Sequence, residues 1–388
     1  MHTIPYGRQD ITQDDIDAVV SVLRSDFLTQ GPSVPMFEKR LCDITGAGHA
    51  LAVNSATSAL HIACLALGVG PGDSVWTSPN TFVASANCAL YCGASVDFVD
   101  IDMRTYNMCV ASLEEKLIKA ERDGCLPKVV IPVHFAGQSC DMARISSLSV
   151  KYGFRIIEDA SHAIGGHYDD CAIGGCKYSD ITVFSFHPVK IVTTAEGGAA
   201  LTNDPELAAS MTRLRTHGIT PDKNLFSIRP VDEIWNYQQV DLGFNYRMTE
   251  LQAALGITQL DRLGTFVEKR HELVGRYNAE LSELPISLPF QAEQTYSSYH
   301  LFPILIPLGS ECPRQRAVFE SLHRNKILAN LHYIPVYLQP YYANLGFDYG
   351  YCPNAEEYYR RTVSLPMFPT MADNDIDRVV SVLMEIYS

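Results

Sequence analysis

The strongest constraint on this chain is an alternation of short apolar runs with amphipathic stretches between residues 51 and 158. Residues 51–53, 74–77, 96–100, 128–133 and 155–158 have the pattern of buried strands, and the stretches between them have helical spacing. Strands joined by crossover helices lie parallel, so the pattern predicts an α/β fold with a mostly parallel central sheet. Ligands bind such sheets beyond the carboxyl ends of the strands. The polar residues that follow these strands are therefore candidates for a site.

The pattern changes on both sides of this alternation. Near the N-terminus, residues 14–24 predict a helix that begins with a capping box of Thr12 and Asp15. Residues 181–186 and 198–202 are apolar runs too close together for a crossover helix, which favours an antiparallel or irregular connection. Residues 218–241 are polar and without a clear period, which is typical of a long surface or inter-subunit loop.

The C-terminal part predicts a second, smaller unit. Residues 249–281 have continuous helical spacing, long enough for a helix that connects two domains. After it the sequence predicts a strand at 301–306, a helix at 314–325, a strand at 328–331 and a helix at 373–387. We therefore expect an N-terminal arm over 1–30, a large α/β domain over 31–250, and a small α+β domain with its connecting helix over 251–388.

Composition excludes several classes of protein. The sequence has 30 Lys and Arg against 44 Asp and Glu, a net charge of −14, which argues against a nucleic-acid or anionic-membrane partner. Its 11 cysteines include no Cys-x-x-Cys pair, and no apolar run is long enough for a membrane span, so we expect a cytoplasmic protein. Residues 68–72 contain three glycines, but they follow a predicted helix and not a strand, and the third glycine of a G-x-G-x-x-G fingerprint is absent. A dinucleotide-binding site is therefore not indicated there.

Two candidate motifs follow predicted strands. Ser55 to Ser58 lie between a strand and a helix, where small and hydroxyl residues leave backbone N–H groups available to an anion such as phosphate. Asp159 follows the strand at 155–158, where its carboxylate could hold a protonated ring nitrogen, and His162 comes one turn later. Ordinary helix capping is the competing interpretation of both motifs.

Two further motifs lie beyond residue 180. Lys190 stands between apolar residues and is followed by small residues and a glycine pair, so desolvation could lower its pKa and make its amine a nucleophile toward a carbonyl. A surface lysine is the alternative. Asn245 and Arg247 precede the long helix and could donate to a phosphate or carboxylate, or simply begin that helix. Together the four motifs supply an anion cradle, a carboxylate and an amine, as a pyridoxal phosphate site requires.

Four segments resemble one known family. Residues 159–162, 185–190, 193–198 and 243–248 are similar to the DegT/DnrJ/EryC1/StrS aminotransferases, and the likeness extends over nearly the whole chain. The resemblance implies the fold-type I architecture of pyridoxal phosphate enzymes, a large domain with a mostly parallel sheet plus a smaller C-terminal domain. It also implies a homodimer with shared active sites.

The resemblance implies roles for residues around the cofactor. Lys190 would hold the cofactor as a Schiff base and move a proton between cofactor and substrate carbons, while Asp159 would pair with the pyridinium nitrogen. His162 would contact the ring or its hydroxyl, and Phe82 would stack on the ring unless it is merely a buried aromatic at a helix start. The phosphate would be bound by Ala56, Thr57 and Ser185, and by Asn245 of the partner subunit.

The resemblance also implies a nucleotide-sugar substrate. Residues 4–9, 26–31, 187–190 and 331–333 are similar to the branch of the family that acts in pseudaminic acid synthesis, which implies a UDP-linked 4-keto-6-deoxy amino sugar as acceptor and L-glutamate as donor. The residues expected to bind the nucleotide sugar are Tyr6, Asp26, Phe27, Leu28, Thr29, Ser185, Asn245, Asn330, Leu331, His332 and Tyr333. Other UDP- or dTDP-4-keto sugars, a dehydratase that lacks the lysine, and a non-catalytic member of the fold are the alternatives.

Overall fold

The computed structural model describes residues 2–227, 233–309 and 313–387. Its helices, in chain order, are α1 (Gln13–Leu23), α2 (Ser33–Thr45), α3 (Ala56–Ala66), α4 (Ala84–Tyr91), α5 (Val110–Asp123), α6 (Met142–Tyr152), α7 (Pro205–Arg215), α8 (Glu250–Asp261), α9 (Leu263–Leu281), α10 (Gln315–Arg324), α11 (Pro340–Ala343), α12 (Pro353–Arg361) and α13 (Asp373–Tyr387). Among these described residues, no helix combines the length and apolarity that crossing a bilayer requires.

The strands of the described residues form one large sheet and several small ones. In chain order they are β1 (His49–Val53), β2 (Ser74–Thr77), β3 (Ser95–Phe98), β4 (Val129–Ile131), β5 (Arg155–Asp159), β6 (His167–Tyr168), β7 (Cys171–Ala172), β8 (Ile181–Ser185), β9 (Gly198–Thr202), β10 (Ile219–Thr220), β11 (Gln238–Gln239), β12 (Thr295–Tyr296), β13 (Phe302–Leu305) and β14 (Thr362–Leu365).

The large sheet has seven strands in the order β1-β9-β8-β5-β4-β2-β3. Strands β3, β2, β4, β5 and β8 are parallel, and β9 runs antiparallel to both β8 and β1. The structure confirms the predicted mostly parallel sheet, and it shows that the connection between residues 181 and 202, expected to be antiparallel or irregular, is antiparallel. Asp159 lies opposite Val183, and Ser185 lies opposite Gly198, so the ends of β5 and β8 and the start of β9 meet at one edge.

Alternating strand residues pack on opposite faces of this sheet. Ile131 and Ile157 belong to a core with α3, α4 and α7, whereas Val130 and Ile156 pack with α5 and α6 on the other side. Successive side chains of a strand point to opposite faces of the sheet. Because helices cover both faces, side chains are buried on both sides of these strands, and both faces of the strands are apolar. Strands β1 and β2 run in the same direction as β5 and β8. Helices α3 and α4, which follow β1 and β2, therefore start at the sheet edge where β5 and β8 end.

A second core lies in the C-terminal part. It joins α9, α10 and α13 to the antiparallel pair β13 and β14, and includes Ile4 from the N-terminal arm. The predicted strand at 328–331 is wrong: within this segment only Asn330 forms an isolated bridge, with Ser364, and the preceding Ile327 bridges Ile4. The strand that pairs with β13 is Thr362–Leu365, which the sequence analysis missed. The expected domain boundaries remain a prediction.

The predicted helix at 249–281 is interrupted. Helix α8 ends at Asp261 and α9 begins at Leu263, with Arg262 between them. The Arg262 guanidinium forms ion pairs with the carboxylates of Asp10 and Asp15. The residue at the break therefore connects α8 and α9 to the start of α1. The Thr12 backbone N–H donates to the Asp15 carboxylate at 2.8 Å, as the predicted capping box requires. In the predicted loop, β10 pairs with β11, and residues 228–232 lie outside the described part.

Candidate active site

A cavity of about 530 Å³ lies at the carboxyl ends of β5 and β8 and the start of α3. Most residues singled out from the sequence line it. They are Tyr6, Ala56, Thr57, Phe82, Asp159, His162, Ser185, Lys190, Asn330, Leu331, His332 and Tyr333. Residues from the N-terminal arm, the sheet edge and the C-terminal part therefore meet in one place.

The start of α3 supplies an anion cradle. Ser55 caps the helix by accepting a hydrogen bond from the Ser58 N–H at 3.1 Å. The N–H groups of Ala56 and Thr57 form no hydrogen bond with any described residue. A Cβ at Gly198 would lie 2.4 Å from the Ala56 nitrogen, so only glycine lets β9 approach this closely. Capping and anion binding are thus compatible, since one N–H is capped and two remain available.

Asp159 ends β5 and is buried. Its carboxylate accepts hydrogen bonds from the Ser85 hydroxyl at 2.6 Å and from the Ser161 backbone N–H at 3.1 Å. A turn, not a helix, follows Asp159, so the helix-capping interpretation is wrong. Ser85 lies in α4, far from Asp159 along the chain. No local sequence pattern therefore indicated that the two side chains meet.

Lys190 lies in a turn after β8 with a half-buried side chain. Its Nζ makes no hydrogen bond or ion pair with the part of the chain that the structure describes. Burial lowers the pKa of Lys190 to about 8, while the nearby Asp159 carboxylate acts in the opposite direction. A sizeable fraction of the amine is therefore neutral near pH 8 and can attack a carbonyl. The lysine belongs to the cavity wall and not to the outer surface.

His162 is a buried, neutral imidazole. Its Nδ1 accepts a hydrogen bond from the Ala136 N–H at 3.3 Å, which leaves the proton on Nε2. Nε2 lies 3.2 Å from the Tyr333 hydroxyl oxygen. Burial, followed by the charge of Lys190, holds the pKa of His162 well below its usual range. The ring therefore presents an N–H donor without carrying a charge.

The segment from Asn330 to Tyr333 forms a second wall. His332 Nδ1 lies 2.9 Å from the hydroxyl of Ser364 in β14, and its ring centroid is 5.4 Å from that of Tyr6. Burial lowers the pKa of His332 to about 3, so this imidazole is neutral too. Ser85 and His300 also line the cavity, although the sequence did not single them out.

Phe82 lies at the cavity and is 61% exposed, so the alternative of a buried helix-start aromatic is wrong. Asn245 and residues 26–29 do not line the cavity of their own chain. Asn245 is exposed and forms a bridge with Thr216, and the Leu28 carbonyl accepts from the Glu250 N–H at 3.0 Å. Their proposed binding roles remain predictions.

The geometry fits pyridoxal phosphate. Two available N–H groups and Ser185 suit the phosphate, a buried carboxylate suits a pyridinium nitrogen, and an amine without a partner suits the aldehyde carbon. Fold and site together define a fold-type I pyridoxal phosphate enzyme. The sequence profile of the DegT/DnrJ/EryC1/StrS aminotransferase family matches residues 9–384, and this chain belongs to that family. It is an aminotransferase, and pyridoxal phosphate is the cofactor of the family's aminotransferases.

Several relatives align along nearly the whole chain. It is 37% identical over 388 residues to the spore coat polysaccharide biosynthesis protein SpsC of Bacillus subtilis, covering 99% of this chain and 97% of that one. It is 38% identical to the UDP-4-amino-4,6-dideoxy-N-acetyl-beta-L-altrosamine transaminase of Campylobacter jejuni, covering 99% and 97%. Among solved structures, Helicobacter pylori PseC, an aminotransferase of pseudaminic acid biosynthesis, is similar with a TM-score of 0.89 at 31% identity, covering 100% and 99%.

Proposed function

We propose that this aminotransferase moves the amino group of L-glutamate to C4 of UDP-2-acetamido-2,6-dideoxy-β-L-arabino-hex-4-ulose, giving UDP-4-amino-4,6-dideoxy-N-acetyl-β-L-altrosamine. The observation that carries the chemistry is that Lys190, Asp159 and the α3 start line one cavity. The choice of sugar is supported by the Campylobacter jejuni and Helicobacter pylori relatives, which share this chain's full length.

The residues that would hold the cofactor surround it on several sides. Lys190 would bind it through the amine, and Asp159 would face its ring nitrogen. The N–H groups of Ala56 and Thr57, with the Ser185 hydroxyl, would hold the phosphate. When bound, pyridoxal phosphate supplies an electron sink that lets an amino group leave one carbon and join another.

Lys190 and Asp159 have separate tasks in this proposal. Lys190 would also act as the base that moves a proton between substrate carbon and cofactor carbon, and its lowered pKa suits that task near pH 8. Asp159 would favour a proton on the ring nitrogen through its negative charge, and hydrogen bonds from Ser85 and the Ser161 N–H hold its carboxylate in place. Phe82 would stack on the ring, and His162 would contact the ring or its hydroxyl.

The acceptor substrate would occupy the neutral wall. Tyr6, Asn330, Leu331, His332 and Tyr333 supply hydrogen-bonding groups and apolar surface there without a net charge. We further propose a homodimer in which Asn245 and residues 26–29 reach the partner's cavity, since they do not line their own. Lys190 is the only lysine or arginine among the described residues that line the cavity. Anionic groups would therefore be bound largely by backbone N–H groups and neutral donors despite the net charge of −14.

The test is to supply purified holoenzyme with glutamate and a panel of UDP- and dTDP-linked 4-keto sugars, and to identify products by mass spectrometry and NMR. We expect the altrosamine product and stoichiometric 2-oxoglutarate. Accumulation of only a D-configured or dTDP-linked amino sugar would overturn the substrate while leaving the cofactor chemistry intact. A dehydrated sugar without nitrogen would overturn the reaction class.

A further inference from the structure

One buried side chain at the cavity has no role so far. His300 precedes β13 and is 4% exposed, and its ring lies 4.4 Å from that of His162, centroid to centroid. Its Nδ1 is buried without a hydrogen-bond partner among the described residues. An unpaired buried nitrogen costs about 1–3 kcal/mol, so a site that retains one at a cavity wall invites a functional explanation.

The backbone that carries His300 is tightly held. Tyr299 has a φ of 47°, in the left-handed region that side chains disfavour. Its turn packs against Gly137, where a Cβ would lie 2.7 Å from the Tyr299 nitrogen. The Leu301 N–H donates to the Ala136 carbonyl at 3.3 Å, and the Ser298 hydroxyl donates to the His162 carbonyl at 3.0 Å. Strain of this kind persists only where surrounding contacts fix it, and it is concentrated at functional sites.

A buried arginine fixes the same turn from behind. Nη1 of Arg270 donates to the carbonyls of Tyr299 at 3.1 Å and His300 at 3.2 Å. Arg270 is 1% exposed and forms no ion pair with a described carboxylate. Burial lowers the pKa of His300 well below its usual range, and the charges of Lys190 and Arg270 act in the same direction.

A neutral imidazole carries one N–H, which must be on one of its two nitrogens. An unpaired acceptor is tolerated in protein interiors more readily than an unpaired N–H, so the proton belongs on Nε2 and not on the orphaned Nδ1. His300 lines the cavity, and Nε2 is the ring nitrogen that remains for a ligand. The ring is thus a neutral donor close to Lys190, where the reacting carbon of each substrate must be placed.

We propose that His300 is a substrate-contacting residue that donates a hydrogen bond to the oxygen on the carbon next to the reacting carbon. This inference rests on the proposed function. In glutamate that oxygen belongs to the α-carboxylate, and in the 4-keto sugar it is the C3 hydroxyl. One neutral donor then serves both substrates, which enter the same cavity in turn and differ in charge at this position.

The experiment combines His300→Phe with a UDP-4-keto sugar that lacks the C3 hydroxyl. For the wild-type holoenzyme, we expect removal of the hydroxyl to lower kcat/KM for the sugar about tenfold, the value of one neutral hydrogen bond. For His300→Phe, both sugars should react at the same reduced rate, and His300→Gln should restore part of the difference. An undiminished penalty for the deoxy sugar in His300→Phe would overturn the proposal.

Binding gives a second readout that does not depend on turnover. We expect the Kd of 2-methylglutamate, which has no α-hydrogen, to rise about 10- to 100-fold in His300→Phe, because the lost partner is a carboxylate. An unchanged Kd would contradict the proposed contact. His271→Phe is the matched control, since His271 stacks on Tyr296 and its Nε2 is 2.8 Å from the Ser297 carbonyl, outside the cavity lining. Failure of the proposed function would differ, since the wild-type enzyme would then aminate neither sugar.

Discussion

The cavity has two walls of different character. The strand-end wall consists of Ala56, Thr57, Asp159, Ser185 and Lys190, and it holds an anionic carboxylate, an amine and available N–H groups. The C-terminal wall consists of His300 and residues 330–333, and its imidazoles are kept neutral by burial. Charged groups at fixed positions can bind a cofactor that stays in the site. Neutral hydrogen-bond donors can bind two alternating substrates of different charge without electrostatic repulsion of either one.

The two walls are also held differently. The strand-end wall depends on sheet register, because Asp159 and Ser185 end strands that lie side by side. The C-terminal wall depends on a few side-chain contacts with loops, such as Ser364 with His332 and Arg270 with the His300 carbonyl. We therefore expect changes in the strand-end wall to affect chemistry and cofactor binding, and changes in the C-terminal wall to affect substrate recognition.

The largest effect is expected for Lys190→Ala. Removal of the amine takes away both the cofactor's covalent attachment and the base, so transamination should fall by at least about 10³-fold. The measurement is the rate of 2-oxoglutarate formation, together with visible absorbance of lysine-bound cofactor, which should disappear. Full turnover in this variant would refute the assignment of Lys190.

Asp159→Asn comes next. The amide keeps the shape and the hydrogen bond from Ser85 but loses the charge that favours a protonated ring nitrogen, so kcat should fall about 100-fold. Stopped-flow absorbance of the glutamate half-reaction measures this directly. Ser85→Ala is the companion variant and should cost about tenfold or less, because only one hydrogen bond to the carboxylate is removed.

Gly198→Ala tests the anion cradle. The added methyl group would press on the Ala56 nitrogen, and relief of that contact must displace the start of α3. Cofactor affinity should weaken about tenfold or more, measured as the Kd of pyridoxal phosphate by fluorescence titration of the apoprotein. Gly264→Ala, where a Cβ meets no atom within 4 Å, is the control and should leave that Kd unchanged.

Tyr333→Phe addresses the C-terminal wall. The loss of its hydroxyl leaves His162 Nε2 without its partner at 3.2 Å, while the Tyr333 N–H still donates to the Asn80 side chain. We expect a two- to tenfold rise in KM for the keto sugar, the range for about one neutral hydrogen bond. A loss as large as that of Asp159→Asn would contradict the division of labour between the two walls.

The smallest effect concerns pH. Capture of pyridoxal phosphate by the apoprotein requires the neutral amine of Lys190, so its rate should rise with pH and level off above a midpoint near the lysine's pKa of about 8. The Asp159 carboxylate raises that pKa, so Asp159→Asn should move the midpoint lower. Rapid-mixing absorbance measurements over pH 6–10 would detect the shift. A midpoint near 10.5, the value for an exposed lysine, would contradict desolvation at this site.

Much of the strand-end wall could be predicted because its residues directly follow strands. A carboxylate one residue beyond the predicted strand at 155–158, and a lysine four residues beyond the apolar run at 181–186, show their placement through local pattern alone. The partners of those residues could not be predicted. Ser85, His300 and Ser364 are ordinary polar residues in sequence, and each reaches the site from an element distant along the chain.

The sequence by itself determined the alternating α/β architecture and the placement of Asp159 and Lys190 after apolar strands, because periodicity and strand-end position are local properties. Tertiary structure alone decided the break at Arg262, the pairing of β13 with β14, and the neutral imidazoles around Lys190. Those features depend on burial and on contacts between residues far apart in the chain. Desolvation and packing are properties of the assembled core, and no local pattern contains them.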